Sequence, residues 1–297
     1  MRHLSMATLG RMRHTLIDGS EDSTLPIACW IRSSLSEIRR RDLGLHGELR
    51  GTTSITAAGD ISQAVFGSRG ATTKMITNIE EMFPAPDPPL KINLTECFRS
   101  TQAVIDAAHN LVQNFGLVGG RSARSVIKPT ARDQSVCLLP MDLERIKYLC
   151  MEGYAAGVHI LVLVVGEIEK EWVDRAMGAV IREDQNTGSR RIRVRHFNKA
   201  KGLEADIVFL FGDPWAGTSA WYRNQLFKLA GLGSGGNVAP ADTVYEQEAL
   251  KLVHLGISRA RRQCFWIPNN GTERIRSASS LVSLNPSAFD DQRSPTH

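Results

Sequence analysis

From Val158 to Val165 the chain reads Val-His-Ile-Leu-Val-Leu-Val-Val. A run this short and this apolar is a strand buried on both faces, which demands a sheet covered from two sides. It is also far too short to span a bilayer. The strand is placed from His159 to Val165, and related runs recur at Val136 to Leu139, Ile192 to Phe197, Ile207 to Phe211 and Gln263 to Ile267. Helical patterns separate them, at Thr101 to Phe115, Leu143 to Ala156, Lys170 to Arg182 and Val244 to Ile257. Ile92 to Leu94 reads as a further strand. Strands alternating with helices predict an α/β fold, a parallel sheet with helices on both faces.

The amino-terminal part is sparser. Thr15 to Asp18 is a short apolar run ending in an acid, and Pro26 to Ile38 reads as a helix. Arg39-Arg40-Arg41 then marks either a solvated helix end or a phosphate-contacting patch. Gly44 to Ser54 reads as a loop, and Ser54 to Ala58 as a strand ending at Gly59-Asp60. Pro84-Ala-Pro-Asp-Pro-Pro89 is the strongest punctuation in the chain and predicts a domain boundary. The tail from Asn269, rich in Ser, Asn, Arg and Pro, reads as disordered. The expected organisation is 1–84, 85–268 and a tail at 269–297.

A net charge of +5 and a pI near 9.1 suit a polyanionic partner without requiring one. The five cysteines contain no C-x-x-C spacing and stand near no histidine cluster, so neither zinc nor a disulfide framework is expected. The first residues lack the apolar core of a signal peptide. The expectation is a soluble, cytoplasmic protein.

Four segments carry more specific information. Gly59-Asp60-Ile61-Ser62-Gln63-Ala64-Val65-Phe66 leads into Arg69-Gly70-Ala71, and Leu94-Thr95-Glu96-Cys97-Phe98-Arg99-Ser100 precedes the first long helix of the second part. His196-Phe-Asn-Lys-Ala-Lys201-Gly-Leu-Glu204 precedes an apolar strand, and Glu248 opens a helix that ends in Gly256-Ile-Ser-Arg259-Ala-Arg261. In order and context these resemble motifs III, IV, V and VI of the UvrD/Rep-like superfamily 1 DNA helicases. Leu16-Ile17-Asp18-Gly19-Ser20-Glu21-Asp22 resembles a remnant of their motif II. Taken singly, Arg99 is equally a solvated residue beside a Ser100 helix cap, and Arg259 equally a cation complementing a helix dipole.

The resemblance implies a second RecA-like domain preceded by a remnant of the first, and a site for ATP and magnesium. It implies that Gln63, Arg99 and Arg259 face the triphosphate in one shared cleft, Arg259 as an arginine finger. Gly202, Glu204 and Glu248 would help position nucleotide, and Asp18 would lie toward magnesium. Phe66, Arg69, Asn198 and Lys201 would lie on the track of single-stranded or duplex DNA. The implied activity is ATP-driven translocation on DNA and its unwinding.

The chain also departs from that pattern. It contains no G-x-x-x-x-G-K-S/T phosphate loop, and Gly231 to Gly236 follows a helical segment, so it reads as a flexible loop and not as a dinucleotide fingerprint. Gly19 stands where the family has the Glu that orients water, a loss of about 100- to 10,000-fold. Glu21 replaces a Gln, and Ser68 replaces an aromatic that stacks on bases. The stretch between Arg99 and Lys201 leaves no room for a large accessory insertion. The expectation is a chain inactive in ATP hydrolysis alone, with a separate P-loop-bearing chain as implied partner. The alternative is a non-catalytic nucleic-acid or protein-binding module on a helicase scaffold.

Overall fold

The computed structural model describes residues 14–46, 54–84, 88–113, 122–128, 136–214 and 240–268, with backbone alone at 39, 41–46, 68 and 240–246. The chain divides into two compact units, Met1–Asn93 and Leu94–His297. The loop expected at Gly231 to Gly236 and the tail from Asn269 lie outside the described residues.

The first unit holds two parallel strands, β1 (His14–Ile17) and β2 (Ser54–Ala57). Between them runs helix α1 (Leu25–His46), and two single-turn helices, α2 (Lys74–Thr77) and α3 (Ile79–Met82), follow. Ala28, Ile31 and Leu35, spaced at three and four along α1, bury against Met75 and Phe83. The helix passes through the triple arginine, where one expectation was a helix end. Arginine is a good helix former, and neither Gly nor Pro interrupts the sequence between Pro26 and Gly44.

The second unit opens with a two-residue strand pair, β3 (Glu96–Cys97) with β4 (Arg124–Ser125), which the sequence pattern did not reveal. Ile92 and Leu94 form no strand. They are 73% and 89% exposed, because no neighbouring strand among the described residues offers a ladder before Glu96. Helix α4 (Gln102–Gln113) follows β3 and buries Val104, Ala107, Ala108 and Leu111 on one stripe.

The main sheet has five parallel strands: β5 (Val136–Leu138), β6 (Ile160–Val164), β7 (Ile192–His196), β8 (Ala205–Phe211) and β9 (Ala260–Ile267). Their spatial order is β5-β9-β8-β6-β7. Helices α5 (Leu143–Ala155), α6 (Glu167–Asn186) and α7 (Pro240–Ile257) connect them. Every residue of β6 is buried, as its all-apolar sequence demands. Ile160, Val162 and Val164 pack with Phe209, Phe211, Phe265 and Ile267 beneath α5 and α6. Leu163 and Leu210 face the other way, and a Cβ on Gly256 of α7 would come within 2.9 Å of Leu210. Helices therefore cover both faces, as the apolar runs predicted. Asp142 starts α5 by accepting the backbone N–H groups of Glu144 and Arg145, both at 3.1 Å.

The turn from α6 into β7 is held by Asp184, whose carboxylate accepts from Ser189 Oγ and from the backbone N–H groups of Arg191 (3.0 Å) and Ile192 (3.1 Å). Burial acts to raise its pKa, but those hydrogen bonds and the Arg191 charge outweigh it and hold the group below the ordinary carboxylate range. A depressed folded-state pKa gives stability that is complete above the unfolded value near 3.8 and is lost as pH falls through the folded one. Asp184→Asn, which turns a donor toward a backbone N–H, is therefore expected to cost about 1–3 kcal/mol at pH 7 in urea denaturation. The difference from wild type should shrink below the ordinary Asp range. A difference that held steady into strong acid would contradict this assignment.

Candidate functional site

Each unit gathers its own set of the residues singled out in the sequence. In the first, β1 and β2 lie side by side, so the segments following them meet. Ala58 N–H donates to the Ile17 carbonyl at 2.8 Å, and Ser20 donates to the Ala58 carbonyl through both its N–H (3.0 Å) and its hydroxyl (2.7 Å). Glu21 is 2% exposed and accepts the Asp60 N–H at 3.3 Å. Gly59 is required here, since a Cβ would fall 2.3 Å from the Glu21 carboxylate. The Asp60 carboxylate accepts from the backbone and hydroxyl of Ser62 and from Gln63 Nε2 at 2.7 Å. Asp18 is exposed, with Oδ1 accepting the Gly19 N–H at 2.9 Å. Arg69 stacks its guanidinium 4.8 Å from the centre of the Phe66 ring, so these two residues form one cation–π pair.

In the second unit the segments containing Arg99, Glu204 and Arg259 come together at the amino ends of β8 and β9. The β3–α4 turn is tied to the start of β9: Ser100 Oγ donates to the Ala260 carbonyl at 2.6 Å, and Thr101 N–H to the Arg261 carbonyl at 2.9 Å. That docking carries Arg99 to Glu204, where Nε meets Oε2 at 3.0 Å, while Nη1 reaches the Ser258 carbonyl at 3.4 Å. Arg261 donates to the other oxygen of Glu204. One carboxylate thus bridges two guanidinium groups. The Arg261 guanidinium, with Arg99 behind it, holds the Glu204 carboxyl below its ordinary range against the smaller effect of partial burial.

The three side chains of this fork are 38–44% exposed. Ion pairs so placed contribute about 0–1 kcal/mol. The fork is therefore weak as a brace and cheap to open. It carries one positive charge in excess and can receive an anion at little cost to the fold.

Arg259 sits differently. It is 2% exposed, donates through Nε to the Leu255 carbonyl at 3.1 Å and through Nη2 to Ser258 Oγ at 2.9 Å. It closes the carboxyl end of α7, the role that its own sequence context offered as the alternative to a finger. Arg261, to which the sequence analysis gave no role, is the exposed cation of this segment. Its signal was a pair of arginines, Arg261 and Arg262, leading into an apolar strand, hidden because that strand was expected to begin only at Gln263. Phe98 was passed over as well. It is 73% exposed, the residue before Arg99 in the chain, and offers a flat apolar face to solvent.

The turn before β8 is built by Phe197, buried against α7, with Ala200 N–H donating to the Phe197 carbonyl and Leu203 N–H to that of Ala200, both at 3.0 Å. Asn198 is exposed, Lys201 half-buried and engaged, and Gly202 has φ 79° with open space around it. Glu248 stands nine residues before the end of α7, about 2.5 turns from the fork's end of the helix.

No group of three metal-ligating side chains occurs among the described residues. A single exposed carboxylate such as Asp18 still fits magnesium held chiefly by phosphates and water. No helix among the described residues is long and apolar enough to cross a membrane.

No family model matches the sequence, and no curated protein does. Among solved structures, the C-terminal domain of a possible DNA helicase from Lactobacillus plantarum WCFS1 aligns over 64% of this chain and 90% of that one. The identity is 14% and the TM-score 0.31, a likeness too slight to say what this chain does.

Proposed function

We propose that this chain is the nucleotide-sensing and strand-contacting part of a UvrD-like superfamily 1 DNA helicase, inactive in ATP hydrolysis until a phosphate loop is supplied to it. The supporting observation is the Arg99–Glu204–Arg261 fork, which joins the three segments resembling motifs IV, V and VI in one exposed cationic site. Bound ATP and its magnesium would supply the transferable phosphoryl group. Arg99 and Arg261 donate to phosphate oxygens, Glu204 orients the two guanidiniums, and Phe98 offers a stacking face for a base. Asn198, Lys201 and Gly202 form an open turn at which a nucleic-acid backbone approaches closely.

A second reading, a non-catalytic binding module on the same scaffold, is favoured by Gly19. Its φ of 67° is left-handed, so the family's Glu at this position would carry backbone strain of about 1–2 kcal/mol. ATPase measurement separates the two. The purified chain is expected to show no turnover with or without single-stranded DNA. Turnover restored by a P-loop-bearing chain and lost on Arg99→Ala supports the helicase reading. DNA-stimulated hydrolysis by the chain alone would remove the claim of inactivity. Strand binding that persists while no such chain restores turnover would favour the second reading.

A further inference from the structure

Strand β7 forms one edge of the main sheet and carries charges that the site above does not use. Between Gln185 and Leu203 the chain has six Lys and Arg and no Asp or Glu. Two of the six have structural work. Arg191 stacks on Tyr154 at 4.5 Å and donates to its carbonyl at 3.1 Å, and Lys201 belongs to the turn before β8. Arg193 and Arg195 do not. In register they lie beside Leu161 and Leu163, so both leave the sheet on the face that α7 covers further in. Both are exposed, and β6 brings them no charge of either sign. Among the described residues Arg195 donates only to the carbonyl of Val194, at 2.7 Å. Past the end of β7, Asn198 and Lys199 are exposed on the turn that packs against α7.

Alternate side chains along a strand stand about 6.6–6.8 Å apart. Two cations at that interval on a sheet edge, with a third exposed on the adjoining turn, make a ridge of positive charge that has no ion pair to an acid among the described residues. Such a ridge fits a polymer with one negative charge per repeat. We infer that Arg193, Arg195 and Lys199 hold the phosphodiester backbone of a single-stranded nucleic acid and lead it to the Asn198–Gly202 turn. This rests on the nucleic-acid part of the function proposed above and adds the route of the strand. An acidic protein segment would need carboxylates at matched alternate positions and would also pair with the open edge of β7, so it forms the competing outcome.

The test uses the full chain and a fluorescein-labelled oligothymidylate, with anisotropy titrations from 50 mM salt upward. Each single-strand phosphate neutralised contributes about 0.7 to the slope of log affinity against log salt. Arg193→Ala/Arg195→Ala is therefore expected to flatten the slope by about 1.4 and to weaken binding roughly 10- to 100-fold at 50 mM. Arg193→Lys/Arg195→Lys should keep most of the affinity, because the contact is one of charge. Lys199→Glu, on an exposed turn, gives an independent reading should the double variant fold poorly. Wild-type binding whose slope and strength survive all three changes overturns the ridge and leaves the wider function standing. No binding by wild type at 50 mM overturns both. Ridge-dependent capture of polyglutamate in place of the oligonucleotide assigns the surface to an acidic protein and also overturns the proposal.

Discussion

Phe209→Ala is expected to destabilise the second unit by about 3–5 kcal/mol, the cost of emptying a phenylalanine-sized site in a packed core. Phe209 is fully buried on β8 and meets Phe265 of β9 with ring centroids 5.0 Å apart and planes tilted by 32°. That contact lies where the two central strands pass beneath α5 and α6. A domain of ordinary stability has only about 5–15 kcal/mol in hand, so the variant should lose a large fraction of the total. Phe209→Leu, which keeps most of the volume, should lose less than half as much. Urea denaturation of the two variants measures both. A loss below about 1 kcal/mol for the alanine variant would mean that this layer is not the core of the unit.

Arg99→Ala is expected to weaken magnesium–ATP-analogue binding about 10- to 100-fold, since a charge-assisted hydrogen bond contributes about 1.5–3 kcal/mol. Glu204→Gln separates the two parts of the fork. It frees both guanidiniums from their counter-charge, so inorganic tripolyphosphate should bind more tightly, while the nucleotide loses the carboxylate that sets the guanidiniums in place. Calorimetric titration of each variant with both ligands reads the difference. Tripolyphosphate affinity that does not move in either variant would detach the fork from phosphate recognition. Arg259→Ala is the contrasting case, because the side chain is buried under the end of α7. It should lower the unfolding midpoint before it touches ligand affinity.

The legible parts of this protein were those decided by local pattern. The run through Ile160–Val164 could be read as a doubly covered strand because each of its side chains has the same apolar requirement, whichever face it takes. Helices α4 to α7 emerged within a few residues of their ends for the same reason, their apolar stripes repeating at helical spacing. Ile92 and Leu94 misled, because alternation marks a strand only where a neighbour supplies the other half of the ladder. The short β3–β4 pair was missed for the converse reason: two residues are too few to show a period.

By itself the sequence determined the α/β class and the position of the turns that meet in the fork, since burial of an apolar strand and the turn before it are local consequences of composition. Only the tertiary structure decided which arginine is available. Arg259 and Arg261 stand two residues apart, yet one is drawn under the end of α7 by the Leu255 carbonyl, while the other reaches Glu204 across 57 positions of chain. Exposure of a charge depends on which carbonyls and carboxylates the fold brings within reach, and no spacing along the chain contains that information.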